Sequence, residues 1–161
     1  MVAVIVGNPK RMSRTRLAAE LMAEKLTAAP PKAVIELAEI GPALLGWGDP
    51  AVARAKRAVL DADALIVASP TYKATYTGLL KLFLDQLGQG ELRGLPTFAL
   101  MLGGSASHSL APELTLRPVL VEIGASCPAP SLYLIDSEYD TSPALDEWVA
   151  IAKKYMPGAE S

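Results

Sequence analysis

The chain has 161 residues, 51% of them hydrophobic, and a formal net charge of -2 at pH 7. That length suits one domain, residues 1–161, with a substantial core, and its mean hydropathy of +0.28 excludes disorder over most of it. A pI near 5.4 excludes a nucleic-acid partner, which would need a basic face, and weighs against an acidic carrier that docks by charge.

The single cysteine, Cys127, rules out an intrachain disulfide framework. The opening residues lack the basic segment and long apolar run of a signal peptide, and no stretch is apolar for the length of a membrane span. The expectation is a cytoplasmic protein with no membrane association.

Val2 to Val6 is a short unbroken apolar run closed by Gly7, the pattern of a strand buried on both faces. Residues 7–12 read as a loop, and Ser13 as the N-cap of a helix with Leu17, Leu21, Met22 and Leu26 on its buried face. Residues 33–37 form the second strand. Residues 38–50 carry turn signals and read as irregular, after which Asp49 caps a helix that opens at Pro50 and runs to about Ala62. The third strand is 64–68. Beyond it lies a polar loop, then a helix with apolar positions 79, 80, 83, 84 and 87, widened by Leu82. The fourth strand, 97–102, runs into Gly103-Gly104-Ser105-Ala106-Ser107-His108. A helix from about Leu110 to Ile123 follows, bent where Pro118 lacks a backbone donor. Residues 131–135 make the fifth strand. The last helix opens at Ser142-Pro143 and buries Leu145, Trp148, Val149, Ala152 and Tyr155.

Strand and helix alternate without repeat or linker. This predicts an α/β fold, a flavodoxin-like five-stranded parallel sheet in the order 2-1-3-4-5 with helices on both faces. In such a sheet ligands bind beyond the carboxyl ends of the strands, and the loops after strands one, three and four converge there.

The first loop offers a helix N-terminus, the hydroxyls of Ser13 and Thr15 and the charges of Lys10 and Arg14, which suit a phosphate. It is neither a Walker A motif nor a dinucleotide fingerprint, so a mononucleotide phosphate fits better. Plain capping by Ser13 among solvated basic residues is the competing reading. The second loop, Pro70-Thr71-Tyr72-Lys73-Ala74-Thr75, presents backbone groups and a tyrosine for a flat ring; equally, Tyr72 covers the sheet edge. Gly103, Gly104 and Ser105 let the backbone approach a ligand closely, or form a flexible turn. His108 is the only histidine and has no carboxylate cluster around it, which argues against a metal site. Cys127, followed by Pro128 with no arginine at phosphatase-like spacing, reads as structural.

Together, Gly7-Asn8-Pro9-Lys10 with Ser13-Arg14-Thr15, the run Pro70 to Gly78 with Leu80-Lys81, and Gly103-Gly104 with His108 resemble the NADPH-dependent FMN reductase family. The likeness runs from residue 1 to about Ile123 and is nearest to the reductases of two-component alkanesulfonate monooxygenase systems. It implies FMN and NADPH as cofactor and co-substrate, and hydride transfer from nicotinamide to flavin. It further implies a flavin-dependent monooxygenase as the possible recipient of reduced flavin. By that resemblance Lys10, Ser13, Arg14 and Thr15 hold the FMN phosphate. Pro70, Thr71, Tyr72 and Lys73 line the isoalloxazine, and Gly103, Gly104 and Ser105 meet its other side with His108 nearby. The alkanesulfonate branch carries a tyrosine where this chain has Leu114. A flavin-dependent quinone or azo reductase, a flavodoxin-like carrier and a non-enzymatic mononucleotide-binding module are the alternatives. The wide apolar stripe of helix 79–87 points to a homodimer or homotetramer.

Overall fold

In the computed structural model, which describes residues 1–158, five parallel strands form one sheet in the order β2-β1-β3-β4-β5. They are β1 (Val2–Val6), β2 (Ala33–Glu36), β3 (Ala64–Pro70), β4 (Thr97–Gly103) and β5 (Leu132–Ile135). The predicted order holds. β1, β3 and β4 are buried on both faces, which is why they read as unbroken apolar runs rather than alternations. One face, with Val4, Ile66 and Leu100, packs on α1 (Arg14–Thr27) and α5 (Pro143–Ala152). The other, with Ile5, Val67 and Met101, packs on α2 (Pro50–Leu60), α3 (Gly78–Leu84) and α4 (Arg117–Glu122).

Local signals set the helix starts. Ser13, Asp49 and Ser142 cap α1, α2 and α5 by accepting from the amides of Arg16, Ala51 and Ala144, each such cap contributing about 1 kcal/mol. On α5 the Trp148 indole donates to the Pro130 carbonyl at 2.6 Å and meets Phe98 edge-on, with ring centroids 5.4 Å apart. These contacts fix α5 against the sheet.

Several expectations are corrected. The buried face of α1 is Ala18, Ala19, Met22, Ala23 and Leu26, whereas Leu17 is 40% exposed. Small side chains let the helix lie close to the sheet, so alanines rather than leucines mark its inner face. Tyr155 is also exposed, because α5 stops at Ala152 and a tight turn, Lys153–Tyr155, carries the ring outward. α3 ends at Leu84; Leu87 is buried from the turn beyond it. The segment after β2 contains two 3-10 turns, Leu37–Glu39 and Gly41–Leu45.

The helix expected over 110–123 contains a π-helical turn, Pro112–Leu116, ahead of α4. Arg117 N–H reaches back five residues to the Pro112 carbonyl. The irregularity therefore lies before Pro118 rather than at it. A proline ring clashes with the carbonyl one turn back, and the widened turn opens the backbone at that point.

Candidate active site

The three loops at the carboxyl edge of the sheet are tied into one unit. Gly7 N–H donates to the Ala68 carbonyl at 2.8 Å, joining the first loop to β3. The Thr77 hydroxyl donates to the Gly7 carbonyl at 2.5 Å while accepting from Leu80 N–H as the cap of α3. Thr77 N–H in turn donates to Ser69 Oγ. A Cβ on Gly7 would stand 2.7 Å from the Leu80 Cβ, so only glycine lets α3 sit this close to the first loop.

Within the first loop, Asn8 Oδ1 accepts from Lys10 N–H, and Asn8 Nδ2 donates to Thr15 Oγ1 at 3.0 Å. Thr15 thus uses a lone pair on Asn8 and keeps its own proton to donate. Ser13 and Thr15 are buried, while Lys10 and Arg14 reach solvent. The amides of Ser13, Arg14 and Thr15 find no partner among the described residues, as expected for a free helix N-terminus.

In the second loop Tyr72 and Thr75 exchange both backbone hydrogen bonds, at 2.8 and 3.1 Å. The two residues between them, Lys73 and Ala74, have φ of 51° and 67°. That tight reversal normally recruits Gly or Asn, and each non-glycine residue held there costs on the order of 1 kcal/mol or more. The turn thrusts Tyr72 out, 49% exposed. Thr71 N–H bonds the Leu102 carbonyl at 2.7 Å, linking this loop to β4, yet the buried Thr71 hydroxyl has no partner.

The third loop begins at Gly103, whose carbonyl accepts from Asp136 N–H at 2.9 Å. The Tyr133 phenol on β5 donates to the Ser105 carbonyl at 2.8 Å and fills the space beside Gly103. A Cβ there would lie 1.9 Å from that phenol oxygen and 3.3 Å from Thr71 Oγ1. Ser105 and Ser107 share a hydroxyl hydrogen bond, and His108 is exposed at the end of a 3-10 turn. Finally Arg14 donates to Asp136 at 2.5 Å. Contacts thus run from first loop to second, second to third, and back to the first through Asp136.

The predicted residues on the three loops are therefore joined by contacts that sequence reasoning did not anticipate. Thr77, Tyr133 and Asp136 are the partners it missed. Of these only Thr77 carries a local signal, a hydroxyl residue placed directly before an apolar helical stripe. Cys127 lies half-buried before β5, where burial pushes its thiol up, in keeping with a structural role. Among the described residues, no helix is long and apolar enough to cross a membrane.

Residues 1–140 match the family model described as NADPH-dependent FMN reductase. The chain belongs to that family. Relatives agree with the assignment. The chain is 33% identical over 147 residues to an NADH-dependent FMN reductase, SfnF, of Pseudomonas putida, covering 86% of this chain and 79% of that protein. It is 34% identical over 128 residues to the FMN reductase (NADPH) of Escherichia coli K12, covering 77% and 67%. Among solved structures it resembles the apo form of the NADH:FMN oxidoreductase EMOB, with TM-score 0.87 and 33% identity over 98% of this chain and 90% of that one. This member of the FMN reductase family is an oxidoreductase whose chemistry uses FMN and a reduced nicotinamide.

A further groove lies away from these loops. It opens between the end of α3 and α4, about 590 Å³ in volume, and is lined by Lys81, Leu84, Asp85, Pro118 and Val119 among others. It shares no residue with the three loops. Leu114 and Val121, on the π turn and α4, are 66% and 52% exposed.

Proposed function

We propose that this chain reduces FMN with NAD(P)H at the carboxyl edge of the sheet, residues 1–161 acting as one FMN-binding unit. The observation that carries this reading is the closed circuit of contacts among the three loops, which surrounds donors left without partners. Free amides at the start of α1, the Thr15 proton and the Ser13 hydroxyl suit a phosphate dianion, with Lys10 and Arg14 adding charge. Pro70, Thr71, Tyr72 and Lys73 flank one side of the flavin ring. Gly103, Gly104 and Ser105 take the other, with His108 beside them. The orphaned Thr71 hydroxyl supports this fit.

Bound FMN supplies the hydride acceptor, and the chain supplies binding, orientation and water exclusion. Amides of the third loop, fixed by Tyr133 and Asp136, are placed to stabilise negative charge developing on the ring. The Arg14–Asp136 pair is exposed and therefore worth little in itself. Arg14 can shift from that pair to a phosphate at small cost, which suits a flavin that enters and leaves. Reduced flavin released in this way would serve a flavin-dependent monooxygenase in the cytoplasm, where the nicotinamide pool is held. The exposed Leu114 and Val121 on the π turn and α4 support a homodimer or homotetramer built on that part of the molecule.

Steady-state NAD(P)H oxidation with FMN or with a quinone as acceptor tests the assignment. FMN should sustain turnover by substoichiometric enzyme. Turnover with the quinone alone would give the quinone-reductase reading instead.

A further inference from the structure

We infer that Glu36 and Arg16 form a positioning pair that shapes the first loop for the FMN phosphate without touching it. The inference rests on the phosphate reading of that loop.

Glu36 ends β2 opposite Val6 of β1 and is only 5% exposed. A carboxylate in such a place is costly to bury unless both oxygens are satisfied. Both are. Oε1 accepts from Met12 N–H at 2.7 Å, and Oε2 accepts from Arg16 Nη1 at 2.8 Å. Arg16 is held from the other side by Glu20, at 3.0 Å, and its Nη1 also lies 2.9 Å from the Met12 sulfur. The hydrogen bond to Glu20 leads the causes that raise the Arg16 pKa, with Glu36 adding to it against burial. The guanidinium is thus committed to two carboxylates and the Met12 sulfur.

What the pair holds is a reversal. Met12 has φ of 50°, a conformation that an unbranched residue adopts only when its surroundings impose it. The Met12 N–H donates to Glu36 rather than standing free. The next residue, Ser13, is extended with φ of -77° and caps α1. The amides of Ser13, Arg14 and Thr15 then stand free, while Asn8 fixes Thr15 from the opposite arm of the loop. Without the carboxylate, nothing in the loop offsets the strain at Met12, and the free amides lose their common direction.

The sign of the effect discriminates. A buried negative charge near a phosphate site opposes FMN binding by Coulomb's law alone, so charge removal without a positioning role would tighten binding. Positioning predicts the reverse. Glu36→Gln sets an amide N–H against the guanidinium and breaks the pair while conserving shape.

Equilibrium titrations with FMN and with riboflavin, which lacks the phosphate, are made on the wild type, Glu36→Gln, Glu36→Asp, Arg16→Met and Ser13→Ala. Glu36→Gln and Arg16→Met should each weaken FMN by about tenfold, the scale of one lost charge-assisted hydrogen bond, and leave riboflavin unchanged. Arg16→Met also removes a positive charge and would weaken FMN by Coulomb's law alone. Glu36→Asp, which keeps the charge but withdraws the carboxylate by one methylene, therefore carries the test should Glu36→Gln fail to fold. It too should weaken FMN about tenfold and leave riboflavin unchanged. Unchanged or tighter FMN binding, or equal losses for both flavins, would overturn the inference. If Ser13→Ala lowers the FMN preference and neither Glu36 variant does, the positioning role alone falls. If no variant alters that preference, the phosphate reading falls with it.

Discussion

Thr71 is the residue at which stability and binding should part. Its buried hydroxyl has no partner in the free chain, and leaving such a group unpaired costs about 1–3 kcal/mol. Thr71→Val keeps the branched shape and removes the hydroxyl. Thermal unfolding should then occur at an equal or higher temperature, while FMN affinity falls severalfold. A stability loss with unchanged affinity would show that the hydroxyl serves the fold. Gly103 makes the complementary case. Its Cβ-free surface is occupied by the Tyr133 phenol, so Gly103→Ala must displace that ring and break its bond to Ser105. Overpacking of this kind costs about 1–3 kcal/mol, and the unfolding temperature should drop together with flavin affinity. The glycine and the threonine were legible as loop residues of a binding edge. Tyr133 and Asp136 were not, because they reach the site from β5 and its following loop, far along the chain, with no local signature. Glu36 left a faint trace, a carboxylate closing an otherwise apolar strand run.

Among the elements, starts were easier to read than faces. Ser13, Asp49 and Ser142 act within three residues of themselves, so composition alone reveals them. The inner face of α1 depends on how closely it approaches the sheet, a tertiary property that made Leu17 misleading and Ala18, Ala19 and Ala23 decisive. The π turn depends on a longer-range contact as well. Glu113, within it, accepts from Ser131 N–H at 3.0 Å and pairs with Arg117, which also bonds the Cys127 and Ala129 carbonyls. Burial pushes the Glu113 carboxyl up, but the Ser131 hydrogen bond and the Arg117 charge outweigh it and hold the group below its ordinary value. A depressed carboxyl adds stability that is complete above its unfolded value and is lost as pH falls through the folded one. Wild type should therefore exceed Glu113→Gln in stability at neutral pH, and the two should converge as pH falls through the acid range in which the folded-state carboxyl takes up its proton. Denaturant melts across that range check this, and a constant gap would contradict it.

At the scale of the whole molecule, the parallel order 2-1-3-4-5 was legible from strand–helix alternation because short right-handed crossovers leave few other arrangements. Assembly is a separate matter. Leu114 and Val121 expose apolar side chains on the π turn and α4, and Pro118 and Val119 of α4 line the groove toward α3. Light scattering should give a dimer or tetramer for the wild type and a smaller species for Val121→Lys, whose charge would be trapped at the contact. A monomeric wild type would remove that proposal and leave the flavin site untouched.

The most direct test of the reductase assignment is anaerobic NADPH oxidation by a trace of enzyme with excess FMN, with nicotinamide and flavin absorbance followed together. Both should decline in equal amounts over many turnovers. Nicotinamide consumption that stops after one equivalent per site, or no consumption at all, would contradict a reductase that hands its flavin on.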